Sequence, residues 1–263
     1  MPALYAHDRF GTLVTREARG DLKRIILKYN PSFRTGLQGP DPFFFYKAYG
    51  GNRVRRYGTY LHSVSAMPFF RHAVTVIRET GRDSSEYAYL LGYVCHFILD
   101  SECHPCVAES MKATGAAHLQ IESEFEKYLL RMENHDPFSY PLADMIIADE
   151  TVAASMDPFY PSVTRDEMLS SLRWYKFVKW LFSAKSAPRQ DITNAILRLA
   201  GKYDDLKGLM HDRQDIPQCS KSNQELLLLF EQAVPLAADL IEKLDCSIQT
   251  GARLPDRFNR NFE

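Results

Sequence analysis

His96, Asp100 and His104 follow one another at four-residue steps, and His118 and Glu122 repeat that step a little further on. On an α-helix this step returns a side chain to the same face one turn along, where an imidazole and a carboxylate can share a cation. A single His-x3-acid pair is a weak signal, because 8 histidines and 33 acids in 263 residues give roughly one by chance. The triplet is rarer, at roughly 0.03 expected occurrences. It also lies in the most apolar stretch of the chain, residues 87–103, where neither a neutral His nor an ionised Asp is stable without a partner that offsets desolvation. A bound divalent cation is the economical partner. Such a cation lowers the pKa of a bound water and so activates it as a nucleophile.

Geometry adds a constraint. Eight residues of helix rise about 12 Å, whereas metal–ligand bonds are about 2.0–2.2 Å long. His96 and His104 therefore cannot meet at one ion, and this helix must serve at least two centres, with Asp100 able to bridge them or to choose one. The stretch between His104 and His118 permits an antiparallel return, so that His104, His118 and Glu122 close around the second ion. The first, held by His96 and Asp100, needs further ligands. His62, Asp41 and His7 are the unassigned candidates upstream.

The elements that must position these residues are helical. Residues 6–27 carry an apolar stripe through Phe10, Leu13, Val14, Leu22, Ile25 and Ile26 despite Gly11 and Gly20, and Tyr29-Asn-Pro-Ser ends it. Gly39-Pro-Asp-Pro places Asp41 on a turn or at a helix N-terminus. Short helices are expected at 57–62 and 67–79. Ser84-Ser85-Glu86 caps the apolar helix that carries His96, and Pro105 is expected to stop it. Another helix is expected over 113–132, and further ones at 140–155, 165–184, 190–200 and 222–246. Trp174, Tyr175, Trp180 and Phe182 read as one core face, Phe43 to Tyr46 as buried packing, and His72 as structural. No stretch alternates with a period of two for long enough to form a sheet. The fold class is all-α, and residues 1–263 read as a single multi-helix domain without internal repeats.

The ordered set His7, Asp41, His62, His96-x3-Asp100-x3-His104 and His118-x3-Glu122 resembles the bacterial zinc-dependent phospholipase C superfamily, whose all-helical members share their metal site with single-strand-specific fungal nucleases. The motifs span residues 7–122, and the chain length is similar to that of a one-domain phospholipase C. The resemblance implies two to three zinc ions, or another divalent transition metal. One would be held by Asp41, His62, His96 and Asp100, and a second by His104, His118 and Glu122. A third would be held by His7 and a bridging Asp100, completed in the family by the amino group of a processed N-terminal Trp. This chain opens Met1-Pro2 instead, so the Pro2 amine is the group in question. The resemblance also implies hydrolysis of a phosphodiester by a metal-activated water, with Asp41 as general base or water orienter.

Composition narrows the partners. Lys plus Arg is 32 and Asp plus Glu is 33, a net charge of −1, so no basic field is available for a stable nucleic-acid complex. The five cysteines read as ordinary thiols, Cys103-His-Pro-Cys106 included. The opening residues show no signal peptide, no stretch is apolar enough to span a bilayer, and a cytoplasmic protein is expected. The expected substrate is a phospholipid head group or a small phosphodiester, with transient contact at a membrane surface. Soluble phosphoesters or nucleotides are the competing substrates, and a metal-binding or sensing protein without turnover is the competing class.

Overall fold

The computed structural model describes residues 3–183, 186–199, 201 and 203–262, and among these there is no strand. The first helices are α1 (Leu4–Glu17), α2 (Gly20–Lys28) and α3 (Asn30–Gly36), followed by a 3₁₀ turn over Asp41–Phe45. Then come α4 (Arg53–Ser63), α5 (Met67–Thr80), α6 (Ser85–Thr114) and α7 (His118–Met132). After a 3₁₀ turn at Leu142–Met145 lie α8 (Glu150–Met156), α9 (Arg165–Leu181), α10 (Ala187–Leu199), α11 (Tyr203–Leu206) and α12 (Cys219–Thr250). The all-α class is what this order shows. No helix of the described residues is long and apolar enough to cross a membrane.

α6 is the axis. Every residue from Tyr87 to Ser101 is buried, which explains why this helix is apolar on all sides where a surface helix would carry one stripe. α3 and α12 pack along it, and α1, α5, α7 and α8 complete the shell. The α3–α6 crossing is set by Gly36 and Gly92. A Cβ on Gly92 would stand 2.2 Å from the Phe33 carbonyl oxygen, and one on Gly36 would stand 2.1 Å from that of Tyr89. Only hydrogen at both positions lets the two backbones touch.

Several boundaries differ from the sequence expectation. The stripe over 6–27 is two helices, broken at Ala18 and Arg19. Pro105 does not stop α6, which runs nine residues further. A proline at this position cannot donate to the carbonyl of Ser101, one turn back. Here the Arg260 guanidinium donates to that oxygen at 2.6 Å, so the lost helical bond is replaced from outside. The next helix accordingly begins at His118 rather than near 113, after a turn through Gly115. The span 140–155 splits into the turn at Leu142–Met145 and the short α8. The aromatic face of α9 also divides: Tyr175 and Phe182 enter a second apolar cluster with Leu4, Phe45 and Val178, while Trp180 stays 51% exposed. Residue 184, in the helix expected over 165–184, and residue 200, in the one expected over 190–200, lie outside the described residues.

Candidate metal centre

Five elements converge on one buried locus. α1 brings His7, the 3₁₀ turn brings Asp41, α4 brings His62, α6 brings His96, Asp100 and His104, and α7 brings His118 and Glu122. All eight residues singled out in the sequence are gathered there, in three sets of which the first two share His96: His7, His96 and Asp100; Asp41, His62 and His96; His104, His118 and Glu122. Within each set one donor atom per residue lies within 4.8 Å of the others. His96 and His104 fall in different sets, as the rise of the helix requires.

The neighbouring distances are close to what a small cation imposes. Bonds near 2.1 Å at tetrahedral angles place ligand atoms about 3.4 Å apart. His62 Nε2 is 3.1 Å from Asp41 Oδ1, and His96 Nε2 is 3.3 Å from Asp100 Oδ2. His7 Nε2 is 3.2 Å and His104 Nε2 is 3.7 Å from Asp100 Oδ1. Glu122 Oε1 stands 3.0 Å from His118 Nε2 and 3.6 Å from His104 Nε2. Asp100 thus turns one oxygen to His96 and the other to His7 and His104.

The outer partners fix which ring nitrogen faces inward. The Nδ1 atoms of His62, His96 and His104 donate to the carbonyl oxygens of Gly58, Leu37 and Phe262 at 2.8, 3.2 and 2.5 Å. A carbonyl only accepts, so the proton sits on Nδ1 and, in a neutral ring, Nε2 presents a lone pair. Those lone pairs face carboxylate oxygens, which are also acceptors. His96 Nε2, His104 Nε2, Asp100 Oδ2 and Glu122 Oε2 are buried without a hydrogen-bond partner, as is His7 Nδ1. Acceptor against acceptor in a dry core is repulsive unless a proton or a cation stands between them.

In the absence of metal the electrostatics show how protons fill that role. Burial pushes the His104 imidazolium down, but Asp100 and Glu122 outweigh it and raise the ring to about 9. Burial raises the Glu122 carboxyl, yet the His104 ring 3.6 Å away and the hydrogen bond with His118 bring it down to about 2. His96 is lowered to about 3, chiefly by burial, and so is held neutral, with a lone pair to offer. His118 is the most open of the eight, with 34% of its side chain exposed.

Some supports of the site carry no signal in residue type. The carbonyls of Leu37 and Phe262 are examples, although Gly39 hints at the first. It has φ +49, and a Cβ there would stand 2.2 Å from His96 Cδ2, so the loop into Asp41 can pass the imidazole only as glycine. Phe262 also lays its ring 5.1 Å from that of His62 and 5.6 Å from that of His96. Lys179 on α9 is buried with Glu126, Glu122 and Asp41 as the acids acting on it, and burial pushes its ammonium below the ordinary value. Its phase with Met168, Leu172 and Tyr175 was the available sign that it faces inward. His72, by contrast, lies away from the centre and hydrogen-bonds the Pro158 carbonyl at 2.8 Å. The Pro2 amine lies outside the described residues.

A protein-family model described as zinc dependent phospholipase C matches residues 7–168, a span that holds the whole constellation and more than half of the chain. The chain belongs to that family. No curated protein and no solved structure is found to match it.

Proposed function

We propose that this chain is a zinc-dependent phosphodiester hydrolase, with a phospholipid as its substrate, and that residues 1–263 act as one domain. The observation that supports the reading best is the inward-facing set of acceptors. Three imidazoles have their protons committed to backbone carbonyls, and their other nitrogens meet Asp41, Asp100 and Glu122 at distances a divalent ion would close. The donors are nitrogen and oxygen with no thiolate, which suits zinc. Asp41, His62 and His96 would hold one ion and His104, His118 and Glu122 a second, while Asp100 and His7 lie between the two sets.

Bound zinc supplies Lewis acidity, which offsets phosphoryl charge and brings the pKa of a water toward neutrality. The protein's own part is proton handling and exclusion of solvent. Asp41 is fully buried. Burial raises its carboxyl, but the His62 ring 3.1 Å away and the nearby His96 ring help to hold it below the ordinary value, so it stays ionised and can accept a proton. As a water oxygen bonds to phosphorus, its proton passes to Asp41. The bond from phosphorus to the alcohol breaks, and the proton can return to the departing alkoxide. His118, at the most open edge, marks the side on which a phosphoryl group enters.

Zinc content by mass spectrometry, with hydrolysis of bis-p-nitrophenyl phosphate, p-nitrophenyl phosphocholine and single-stranded DNA, tests the reading. At least two ions per chain and preference for the phosphocholine ester are expected. Fewer than one ion per chain removes the metal centre. Preference for DNA moves the substrate to nucleotides, and a zinc-loaded protein inert on all three is a binding or sensing module. Asp41→Asn, loaded with excess zinc and with its metal content measured, should lose roughly 10²–10⁴-fold in rate, and full activity of the zinc-loaded variant would end its assignment as base.

A further inference from the structure

A groove of about 550 Å³ lies where α1, α2 and α3 meet, and none of the eight metal-site residues lines it. Each helix turns one face to it at helical spacing. α1 buries Phe10 and Val14 on one side and sends Asp8, Thr12, Thr15 and Arg16 to the groove. α2 sends Lys23 and Leu27, and α3 sends Asn30 and Arg34. Phe33 and Leu37, almost wholly buried, form the floor.

Charge says what the groove can accept. Arg16, Lys23 and Arg34 share it with a single carboxylate, that of Asp8, an excess of two positive charges on a chain whose net charge is −1. The two ends differ. Asp8 Oδ1 accepts from Arg34 Nε at 2.6 Å, so that end is neutral. The pair also fixes the guanidinium, and neither of its terminal nitrogens has a partner among the described residues, which leaves a rigid fork of donors. The other end lies eight residues, or about 12 Å, along α1. There Lys23 Nζ donates to the Arg16 carbonyl at 3.2 Å, and no carboxylate pairs with Arg16 or Lys23 among the described residues. Thr12 and Thr15 donate to the carbonyls of Asp8 and Gly11, so each hydroxyl oxygen remains an acceptor. Phe33 is the one ring in the lining and is 2% exposed, which gives a nucleobase no face to stack on.

We propose that this groove binds a phosphomonoester carried on a small polyol, at a site separate from the metal centre. A phosphate monoester, with a charge of about −1.5 to −2 at neutral pH, matches the two unpaired cations Arg16 and Lys23. The hydroxyls of the polyol meet the Arg34 fork, which donates, and the Thr12 and Thr15 oxygens, which accept. The volume lies within the range of small-molecule pockets. A phosphodiester carries a single charge and leaves one cation unmatched, so the groove is not a second copy of the proposed active site, and it stands or falls independently of the phosphodiester reading.

Isothermal titration calorimetry of the zinc-loaded full chain with glucose 6-phosphate, inorganic phosphate and glucose tests it. Glucose 6-phosphate should bind more tightly than inorganic phosphate, and glucose should give no measurable heat. Arg16→Met combined with Lys23→Met removes both charges and should weaken glucose 6-phosphate binding about tenfold or more, the worth of one hydrogen bond to a charged group. Zinc content and hydrolysis of bis-p-nitrophenyl phosphate should stay as they were. Arg34→Lys keeps a charge opposite Asp8 but loses the fork, and should erase the preference over inorganic phosphate. If the double variant loses zinc, Arg34→Lys decides, and a retained preference overturns the proposal. So does unchanged binding in an intact double variant, because the ligand is then held elsewhere. Loss of hydrolysis at full zinc content in that variant joins the groove to the active site and overturns its separateness. Vesicles of phosphatidylcholine with and without phosphatidic acid distinguish the sources of the phosphate. Attachment that needs phosphatidic acid, Arg16 and Lys23, in a chain that ignores glucose 6-phosphate, upholds the phosphate site and moves its source to a lipid headgroup. Binding of neither glucose 6-phosphate nor phosphatidic acid overturns the proposal outright.

Discussion

Replacing Gly39 by alanine tests how tightly the loop into Asp41 is matched to the metal centre. The added Cβ would stand 2.2 Å from His96 Cδ2 and 2.6 Å from His96 Nε2. Ordinary carbon contacts are about 3.5–4.0 Å, so ring and loop must separate by more than about 1 Å. A metal site tolerates about 0.5 Å of misplacement. The φ of +49 adds the left-handed penalty for a non-glycine residue, about 1–2 kcal/mol, and overpacking adds about 1–3 kcal/mol. The expected loss is therefore about 2–5 kcal/mol in urea denaturation, with zinc content falling by one ion while the His104, His118 and Glu122 set keeps its own. Gly20→Ala is the matched control, because Gly20 has φ +53 but nothing within 4 Å of the added Cβ. It should pay only the backbone penalty and keep all its zinc. A Gly39→Ala protein with full zinc content and the stability of the Gly20→Ala control would refute the steric argument.

Other outcomes follow from the same contacts. In the zinc-free protein, His104 is raised to about 9 from an ordinary 6.5, so its contribution is complete below pH 6.5 and fades as pH rises through 9. Glu122, lowered to about 2 from 4.5, contributes above pH 4.5 and fails as pH falls through 2. Urea denaturation after chelation should therefore show these two groups most stabilising between about pH 4.5 and 6.5, and excess zinc should reverse the decline between pH 6.5 and 9. Arg260→Met should cost about 1–2 kcal/mol beside Pro105 and distinctly less in a Pro105→Ala background, where the helix supplies its own donor; equal costs in both backgrounds would show that the guanidinium does not replace the missing bond. Asp245 accepts from Arg82 Nε at 2.7 Å and from the buried Tyr87 hydroxyl at 2.6 Å. Asp245→Ala should lower stability by about 2–4 kcal/mol in urea and leave zinc content as it was.

The sequence disclosed most about the residues that break the pattern around them. His96, Asp100 and His104 stand out because they are polar in a helix otherwise apolar on every side, and their four-residue register fixes a common face before any fold is known. Helical class was equally plain, since each long apolar set has a helical period. What stayed hidden depends on groups distant in the chain or without a side-chain signature. Pro105 reads as a terminator because its replacement donor, Arg260, lies 155 residues away. The carbonyls of Leu37 and Phe262 are backbone, and any residue provides one. Trp180 reads as core beside Tyr175, but the buried face of α9 follows Met168, Leu172, Tyr175 and Lys179, a phase set by the surface it meets.

The carbonyl that holds His104 also imposes an order on assembly. Phe262 is made 140 residues after Glu122, which at about 5–20 residues per second is a delay of roughly 7–28 s. Throughout that interval the nascent chain already carries all eight inward-facing groups, while the imidazole of His104 lacks the acceptor that decides its tautomer. Metal captured before Phe262 is in place would meet a looser grip than metal captured once its carbonyl holds the His104 ring.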